Sequence, residues 1–113
     1  MSEESDFTEF KKITIIGCGL IGGSIGLALK KNSYSGEIAG IDRKEVIEKA
    51  IYSGAIDWGT EEIEKGVKNA SMVILATPVR EIIRLLSKIK PFLPEYCLIT
   101  DTGSTKKEII KEA

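Results

Sequence analysis

The sequence predicts an α/β domain in which helices cover both faces of a parallel sheet. Short apolar runs rich in β-branched residues alternate along the chain with segments whose apolar residues recur every three or four positions. A glycine-rich turn follows the first of these runs, at the junction between a strand and a helix. With 113 residues, 42% of them hydrophobic, the chain can bury the core of one domain.

The first part of the domain contains two predicted strand–helix pairs. The β-branched run 13–16 is a buried strand, and a helix follows over 20–31. The apolar residues of that helix share one face: Leu20, Ile21, Ile25, Ala28 and Leu29. A second strand, 38–41, precedes an amphipathic helix that ends at Gly54. The apolar positions of this helix are Val46, Ile47, Ala50 and Ile51.

The middle of the chain predicts a short edge strand over 55–58 and a small acidic helix capped by Thr60. The helix is expected to bury Ile63, Val67 and Ala70. A buried strand over 72–76 follows.

The last predicted helix has Thr77 as its cap and Pro78 at its first position. Its apolar stripe comprises Val79, Ile82, Ile83, Leu86 and Ile89. Pro91 ends this helix, and the last strand covers 97–100.

This alternation predicts a doubly wound sheet of five strands in the order 3-2-1-4-5. The direction of winding reverses between the strands at 13–16 and 72–76, and ligands bind at such a point, outside the carboxyl ends of the strands. Because the chain stops within a predicted helix just after an edge strand, we expect a fragment of a longer protein.

Composition excludes several kinds of function. Lys and Arg total 16 against 17 for Asp and Glu, a net charge of −1, so no nucleic-acid-binding surface is predicted. The chain has no histidine, and imidazole therefore supplies neither a base nor a metal ligand. Residues 1–11 form a polar tail, and the domain itself spans 12–113.

The two cysteines, Cys18 and Cys97, are too few for a disulfide framework and are not spaced as zinc ligands. We therefore expect no metal site and a cytoplasmic location. The uncharged segment 13–29 is shorter than a membrane-spanning helix and contains five glycines, so no membrane association is predicted.

The turn over 17–22 reads Gly-Cys-Gly-Leu-Ile-Gly and links a strand to a helix, as in a Rossmann-type dinucleotide-binding domain. Gly17 permits the tight turn, Gly19 lets a pyrophosphate approach the backbone, and Gly22 lets helix and strand pack closely. Leu20 and Ile21 begin the helix, whose free N–H groups can hold the anion. The alternative is a turn that needs small residues only for packing.

Asp42 follows the second strand, twenty residues after Gly22. A carboxylate at this place accepts hydrogen bonds from the adenosine ribose and repels a 2′-phosphate, which favours NAD over NADP. Arg43 could stack on adenine or offset that repulsion. Alternatively, Asp42 and Glu45 form a capping box for the next helix.

Four segments, ITIIGCGLIGGSIGLAL, AGIDR, VILATPVREI and ITDTGSTK, resemble in order and spacing the amino-terminal half of prephenate and arogenate dehydrogenases. The resemblance implies an NAD(P)-dependent oxidative decarboxylation in tyrosine biosynthesis. It also implies that Thr77 and Pro78 line the nicotinamide-side ribose and that Ser104 is the active-site serine, which hydrogen-bonds the substrate hydroxyl. Lys106 matches the lysine of the same motif, and no role is assigned to it.

In that family the catalytic histidine, the arginine that binds the substrate carboxylate and a helical dimerisation domain lie downstream of the matching segment. We therefore expect a cofactor domain that binds NAD without turnover, from an enzyme that acts on prephenate or arogenate and forms a homodimer. One alternative is the cofactor domain of a β-hydroxyacid dehydrogenase or pyrroline-carboxylate reductase. Another is a non-catalytic NAD-sensing domain.

Overall fold

The computed structural model describes residues 10–102, apart from the side chain of Val79. The strands are β1 (Lys12–Ile16), β2 (Glu37–Ile41), β3 (Trp58–Thr60), β4 (Met72–Leu75) and β5 (Leu98–Asp101). The helices are α1 (Leu20–Lys31), α2 (Lys44–Tyr52), α3 (Ile63–Val67) and α4 (Val79–Ile89). A turn of 3-10 helix, Lys90–Phe92, follows α4.

The five strands form one parallel sheet in the order β3-β2-β1-β4-β5. Ile13 of β1 pairs with Ile38 on one side and with Met72 on the other. The predicted fold class and strand order are confirmed. A helix between two strands provides the long crossover connection that parallel neighbours require.

The core lies on both faces of this sheet. On one face, Ile13 and Ile15 pack with buried residues of α1 and α2. On the other, Ile16 packs with Val67 of α3 and with the buried side of α4. Successive residues of a strand point to opposite faces, so β1 contributes side chains to both layers of the core and is buried throughout.

The predicted contact face of α1 is only partly right: Leu29 is buried and Ile25 packs against the core, but the other three predicted residues are exposed. Leu20 is 90% exposed and Ile21 is 58% exposed, and Ala28 is exposed as well. The buried residues of the helix are Gly22, Gly26 and Leu29. A Cβ on Gly22 would lie 1.8 Å from the Gly17 carbonyl oxygen, so the helix approaches the sheet through its small residues rather than through its large ones.

The apolar stripe of α4 is also corrected. Ile82 and Ile89 are fully buried, whereas Ile83 is 71% exposed. Leu85, which was not predicted to face the core, packs against it together with Leu86. The helix is therefore rotated about its axis from the predicted orientation.

Neither predicted cap at the carboxyl edge of the sheet forms. α4 begins at Val79 with Pro78 at the N-cap position and no side-chain cap. α2 begins at Lys44, with Arg43 rather than Asp42 at its N-cap position. Thr60 does not occupy the cap of α3 either, although its hydroxyl accepts a hydrogen bond from the Glu62 N–H at 3.1 Å.

The edge strands lie slightly later in the chain than predicted, β3 at 58–60 and β5 at 98–101. Backbone hydrogen bonds define where these edge strands begin and end, and an apolar pattern locates such boundaries only approximately. Among the helices of residues 10–102, none has the length and apolar character needed to cross a membrane.

Candidate functional site

The glycine loop lies at the carboxyl ends of β1, β2 and β4, where the winding of the sheet reverses. Gly17 adopts a φ of +94° and donates its N–H to the Ile41 carbonyl oxygen at 2.9 Å. A Cβ at this position would lie 2.8 Å from the Ala76 carbonyl oxygen. Glycine is therefore required at Gly17 by both conformation and space.

Gly19 differs from the other two glycines of the motif. Its φ is −75°, its ψ is −143°, and apart from its chain neighbours no atom of the described residues lies within 4 Å of the place that a Cβ would occupy. Gly22, by contrast, is enclosed by the backbone of the loop. Within residues 10–102, no packing contact accounts for a glycine at Gly19.

The carboxylate of Asp42 joins the glycine loop to the start of α2. One oxygen accepts the Cys18 N–H at 2.8 Å, and the other accepts the Arg43 N–H at 2.6 Å. These two bonds orient the carboxylate at the rim of the cavity described below. The side chain does not form the predicted capping box.

Cys18 is a buried structural residue. Its thiol, only 4% exposed, donates a weak hydrogen bond to the Ile15 carbonyl oxygen at 3.5 Å. Burial and then the nearby charge of Asp42 raise the pKa of the Cys18 thiol to about 11. The thiol therefore stays protonated at neutral pH and is a poor nucleophile. Cys18 and Cys97 are both free.

A cavity of about 480 Å³ lies on the β2 side of the glycine loop. Its walls include the predicted residues Gly17, Asp42, Arg43, Thr77 and Pro78. Apolar side chains from three elements complete it: Ile41, Ile63 and Leu85. Such a mixture of apolar walls and a few polar groups is typical of a site for a small organic ligand.

A second cavity, of about 360 Å³, lies on the other side of the loop. It is lined by Gly19, Leu20, Ile21, Ala76, Thr77, Pro78 and Thr102. Thr77 and Pro78 therefore belong to both cavities, and Leu20 and Ile21, exposed on α1, form a wall of this one.

The hydroxyl of Thr77 lies between the two cavities and is buried. Its Oγ1 has no hydrogen-bond partner among the described residues. A buried hydroxyl without a partner costs about 1–3 kcal/mol, so this atom is available to hydrogen-bond a ligand.

The sequence predictions missed two acidic residues at the first cavity, Glu61 and Glu81. Glu61 could have been found, because it follows β3 as Asp42 follows β2. Glu81 could not, because its position depends on the rotation of α4. Gly22 lines neither cavity, and Ser104 and Lys106 lie outside the described residues.

The comparisons with known proteins agree with this geometry. Residues 25–113 match the profile of the family described as "Prephenate dehydrogenase, nucleotide-binding domain". The chain belongs to this family. Membership confirms the resemblance seen in the motifs and favours it over the cofactor domains of the other reductases considered above.

Individual relatives support the assignment. The chain is 48% identical over 104 residues to a prephenate dehydrogenase of Lactococcus lactis, covering 91% of this chain and 29% of the relative. It is similar to a structure of prephenate dehydrogenase from Aquifex aeolicus in complex with hydroxyphenyl propionate and NAD+, with 35% identity and a TM-score of 0.76. That match covers 83% of this chain and 34% of the other.

A Synechocystis arogenate dehydrogenase is also similar, with 26% identity and a TM-score of 0.78 over 89% of this chain and 37% of the other. The chain thus spans about a third of the length of the relatives it matches.

Proposed function

We propose that this chain is the NAD-binding domain of a prephenate dehydrogenase, which converts prephenate to 4-hydroxyphenylpyruvate by oxidative decarboxylation. The observation that carries the proposal is the pair of cavities that meet at Thr77 on either side of the glycine loop. A dinucleotide has two nucleoside halves joined by a pyrophosphate, and this arrangement offers a compartment for each half. The family relationship supplies the reaction.

The residues present fit such a cofactor. The adenosine half belongs in the first cavity, where Asp42 accepts hydrogen bonds from the ribose hydroxyls. Gly19 carries no side chain, and the place of a Cβ on it is open among the described residues, which leaves room for the pyrophosphate at the start of α1. The buried hydroxyl of Thr77 is available to the nicotinamide-side ribose.

We infer that the cofactor is NAD rather than NADP. Asp42 is a negatively charged acceptor held toward the cavity by two backbone N–H groups. It suits the 2′-hydroxyl of NAD, which can donate a hydrogen bond, and repels the 2′-phosphate of NADP. The exposed Arg43 could stack on adenine without cancelling this preference.

When bound, the cofactor supplies the acceptor for the hydride that leaves the ring carbon bearing the substrate hydroxyl. Ser104 is proposed to hydrogen-bond that hydroxyl. The chain has no histidine, so the base that removes the hydroxyl proton must come from another part of the enzyme, and general-base catalysis contributes about 10²–10⁴ in rate. This domain alone should therefore bind cofactor without turnover.

The assembled enzyme is proposed to be a cytoplasmic homodimer held together by a helical domain beyond the matched segment. Arogenate remains a possible substrate in place of prephenate, since the relatives include an arogenate dehydrogenase.

Calorimetric titration of the 113-residue chain with NAD and then NADP, at one salt concentration, tests cofactor binding. We expect NAD to bind more tightly than NADP and the Asp42→Ala variant to lose more affinity for NAD than for NADP. Asp42→Ala leaves the Cys18 and Arg43 amides without their acceptor, so thermal unfolding must be measured alongside. An equal loss for both cofactors would contradict the ribose assignment, and a folded wild-type chain that binds neither would contradict the proposed cofactor binding.

A further inference from the structure

Glu61 lies beside Asp42 at the carboxyl edge of the sheet. Ile41 of β2 pairs with Thr60 of β3, and the following residues of the two strands are Asp42 and Glu61. The Asp42 N–H donates to the Thr60 carbonyl oxygen at 3.3 Å, which continues the pairing to the end of both strands. Both acidic residues line the first cavity.

The carboxylate of Glu61 bonds the start of α2. It accepts the N–H of Lys44, the first residue of this nine-residue helix, at 2.9 Å. Asp42 accepts the N–H of Arg43, the N-cap residue of the same helix, at 2.6 Å. Two backbone amides that could bind an external anion at this helix end are therefore occupied by the chain's own carboxylates.

Two cationic residues, Arg43 and Lys44, lie at this helix end. Together with free amides they would attract a phosphate group. Glu61 makes this helix end less favourable for a phosphate. Its carboxylate already occupies one amide donor, and it adds a second negative charge next to Asp42. A phosphate monoester carries a charge of about −1.5 to −2 at pH 7, so the two carboxylates repel it and offset the attraction of Arg43 and Lys44, whereas an uncharged ribose hydroxyl is not repelled.

We propose that Glu61 is a specificity-determining residue that, together with Asp42, makes this site reject NADP in favour of NAD. The inference rests on the proposed function, since it assumes that the adenosine half of the cofactor occupies the first cavity. The discrimination between NAD and NADP is thus assigned to two carboxylates at adjacent strand ends rather than to Asp42 alone.

The Glu61→Gln variant separates charge from structure. Glutamine keeps a carbonyl oxygen that can accept the Lys44 N–H, so α2 retains its contact, but the negative charge is lost. A role limited to holding α2 predicts no change in cofactor preference. A role in discrimination predicts tighter binding of NADP with little change for NAD.

The matched control is Glu62→Gln. Glu62 is the next residue, its side chain is 64% exposed, and it pairs with Lys65 at 3.7 Å rather than lining the cavity. Both variants change the net charge of the chain by the same amount, so a general electrostatic effect would be equal in the two.

The experiment titrates wild type and both variants with NAD and NADP at pH 7 and one low salt concentration, with thermal unfolding as a check on folding. We expect the ratio of the NADP to the NAD dissociation constant to fall about tenfold in Glu61→Gln and to stay unchanged in Glu62→Gln. A second measurement needs no variant: because salt screens repulsion, this ratio should fall in wild type as salt is raised.

The outcomes distinguish the two proposals. NAD binding by wild type with an unchanged ratio in folded Glu61→Gln overturns the role of Glu61 and leaves NAD binding intact. An equal change in both variants also overturns it, because the effect is then one of net charge. Failure of folded wild type to bind NAD overturns the proposed function on which this inference rests.

Discussion

Gly19 and Gly22 lie three residues apart in one loop and serve different purposes. Gly22 is required by packing, because a Cβ there would lie 1.8 Å from a backbone oxygen. Among the described residues the place of a Cβ on Gly19 is open, and its φ of −75° lies outside the left-handed region. A residue whose smallness the fold does not need is a candidate for contact with a ligand.

Substituting the two glycines separately tests this difference. Gly19→Ala should leave the chain folded, at a cost of less than about 1 kcal/mol for alanine at a helix N-cap, and weaken NAD binding by at least about tenfold. Gly22→Ala should lower the free energy of unfolding by about 3 kcal/mol because backbone must move. Denaturant unfolding and calorimetry measure both effects, and normal NAD affinity in Gly19→Ala would refute the pyrophosphate assignment.

Thr77 offers a test in which stability and binding change in opposite directions. Its buried Oγ1 has no hydrogen-bond partner among the described residues. Thr77→Val removes the hydroxyl and keeps the branched shape, so we expect the cofactor-free chain to become more stable by about 1 kcal/mol. The same variant should bind NAD more weakly. A loss of stability would mean that the hydroxyl already has a partner in the free chain.

At the scale of elements, side chains distant in sequence hold the layers in place. The Thr14 hydroxyl, buried in β1, donates to the Gly66 carbonyl oxygen of α3 at 2.7 Å. Asp57, just before β3, accepts hydrogen bonds from Lys30 of α1 at 2.5 Å and from the Ile38 N–H of β2 at 2.8 Å. These contacts fix how helices and strands meet.

The Asp57 contacts predict a pH dependence. Burial alone would raise the pKa of Asp57, but the hydrogen bonds from Lys30 and the Ile38 amide outweigh it and lower the pKa. A carboxyl whose pKa is lowered by folding stabilises the fold above its unfolded pKa of about 3.9. That contribution is lost as pH falls through the folded value.

Asp57→Asn should therefore reduce the free energy of unfolding at pH 7 by no more than about 1 kcal/mol, because the pair is partly exposed and screened. The difference from wild type should disappear in acid, below the folded pKa. Chemical unfolding at several pH values measures it, with Lys30→Met as the partner variant in a double-mutant cycle. A difference that persists unchanged in acid would show that the charge of Asp57 is not responsible.

At the scale of the whole molecule, the sheet brings the ends of four strands to one edge. Gly17 after β1, Asp42 after β2, Glu61 after β3 and Thr77 after β4 all reach the first cavity. The motif that contains Ser104 follows β5, and it belongs to the same edge only by prediction. The proposed division is that this domain holds the cofactor and the rest of the enzyme supplies the base.

That division is tested by Ser104→Ala in the full-length enzyme. Because Ser104 is proposed to bond the substrate and not the cofactor, turnover of prephenate should fall by about tenfold, the equivalent of one hydrogen bond of about 1.4 kcal/mol. NAD affinity should stay nearly unchanged. Equal turnover in variant and wild type would refute the role implied by the family resemblance.

Sequence patterns were sufficient to predict the order of the elements, the parallel sheet and the strand ends at which most of the candidate site residues lie. These depend on local chemistry: β-branched runs favour strands, a three-to-four spacing favours helices, and glycines mark a tight turn. The positions of Gly17, Asp42 and Thr77 at one edge then follow from the topology alone.

Which face each helix buries, and which side chains become neighbours, depends on tertiary packing and could be seen only in the folded chain. Leu20, Ile21 and Ile83 continue an apolar pattern and yet are exposed, because the backbone opposite each helix determines how closely it can approach. Glu61 and Asp42 are distant in the sequence and adjacent in the sheet. The predicted strand order already placed these two strands side by side, but the apolar pattern ended the edge strand at residue 58 rather than at Thr60, so it did not identify Glu61 as the residue that follows the strand.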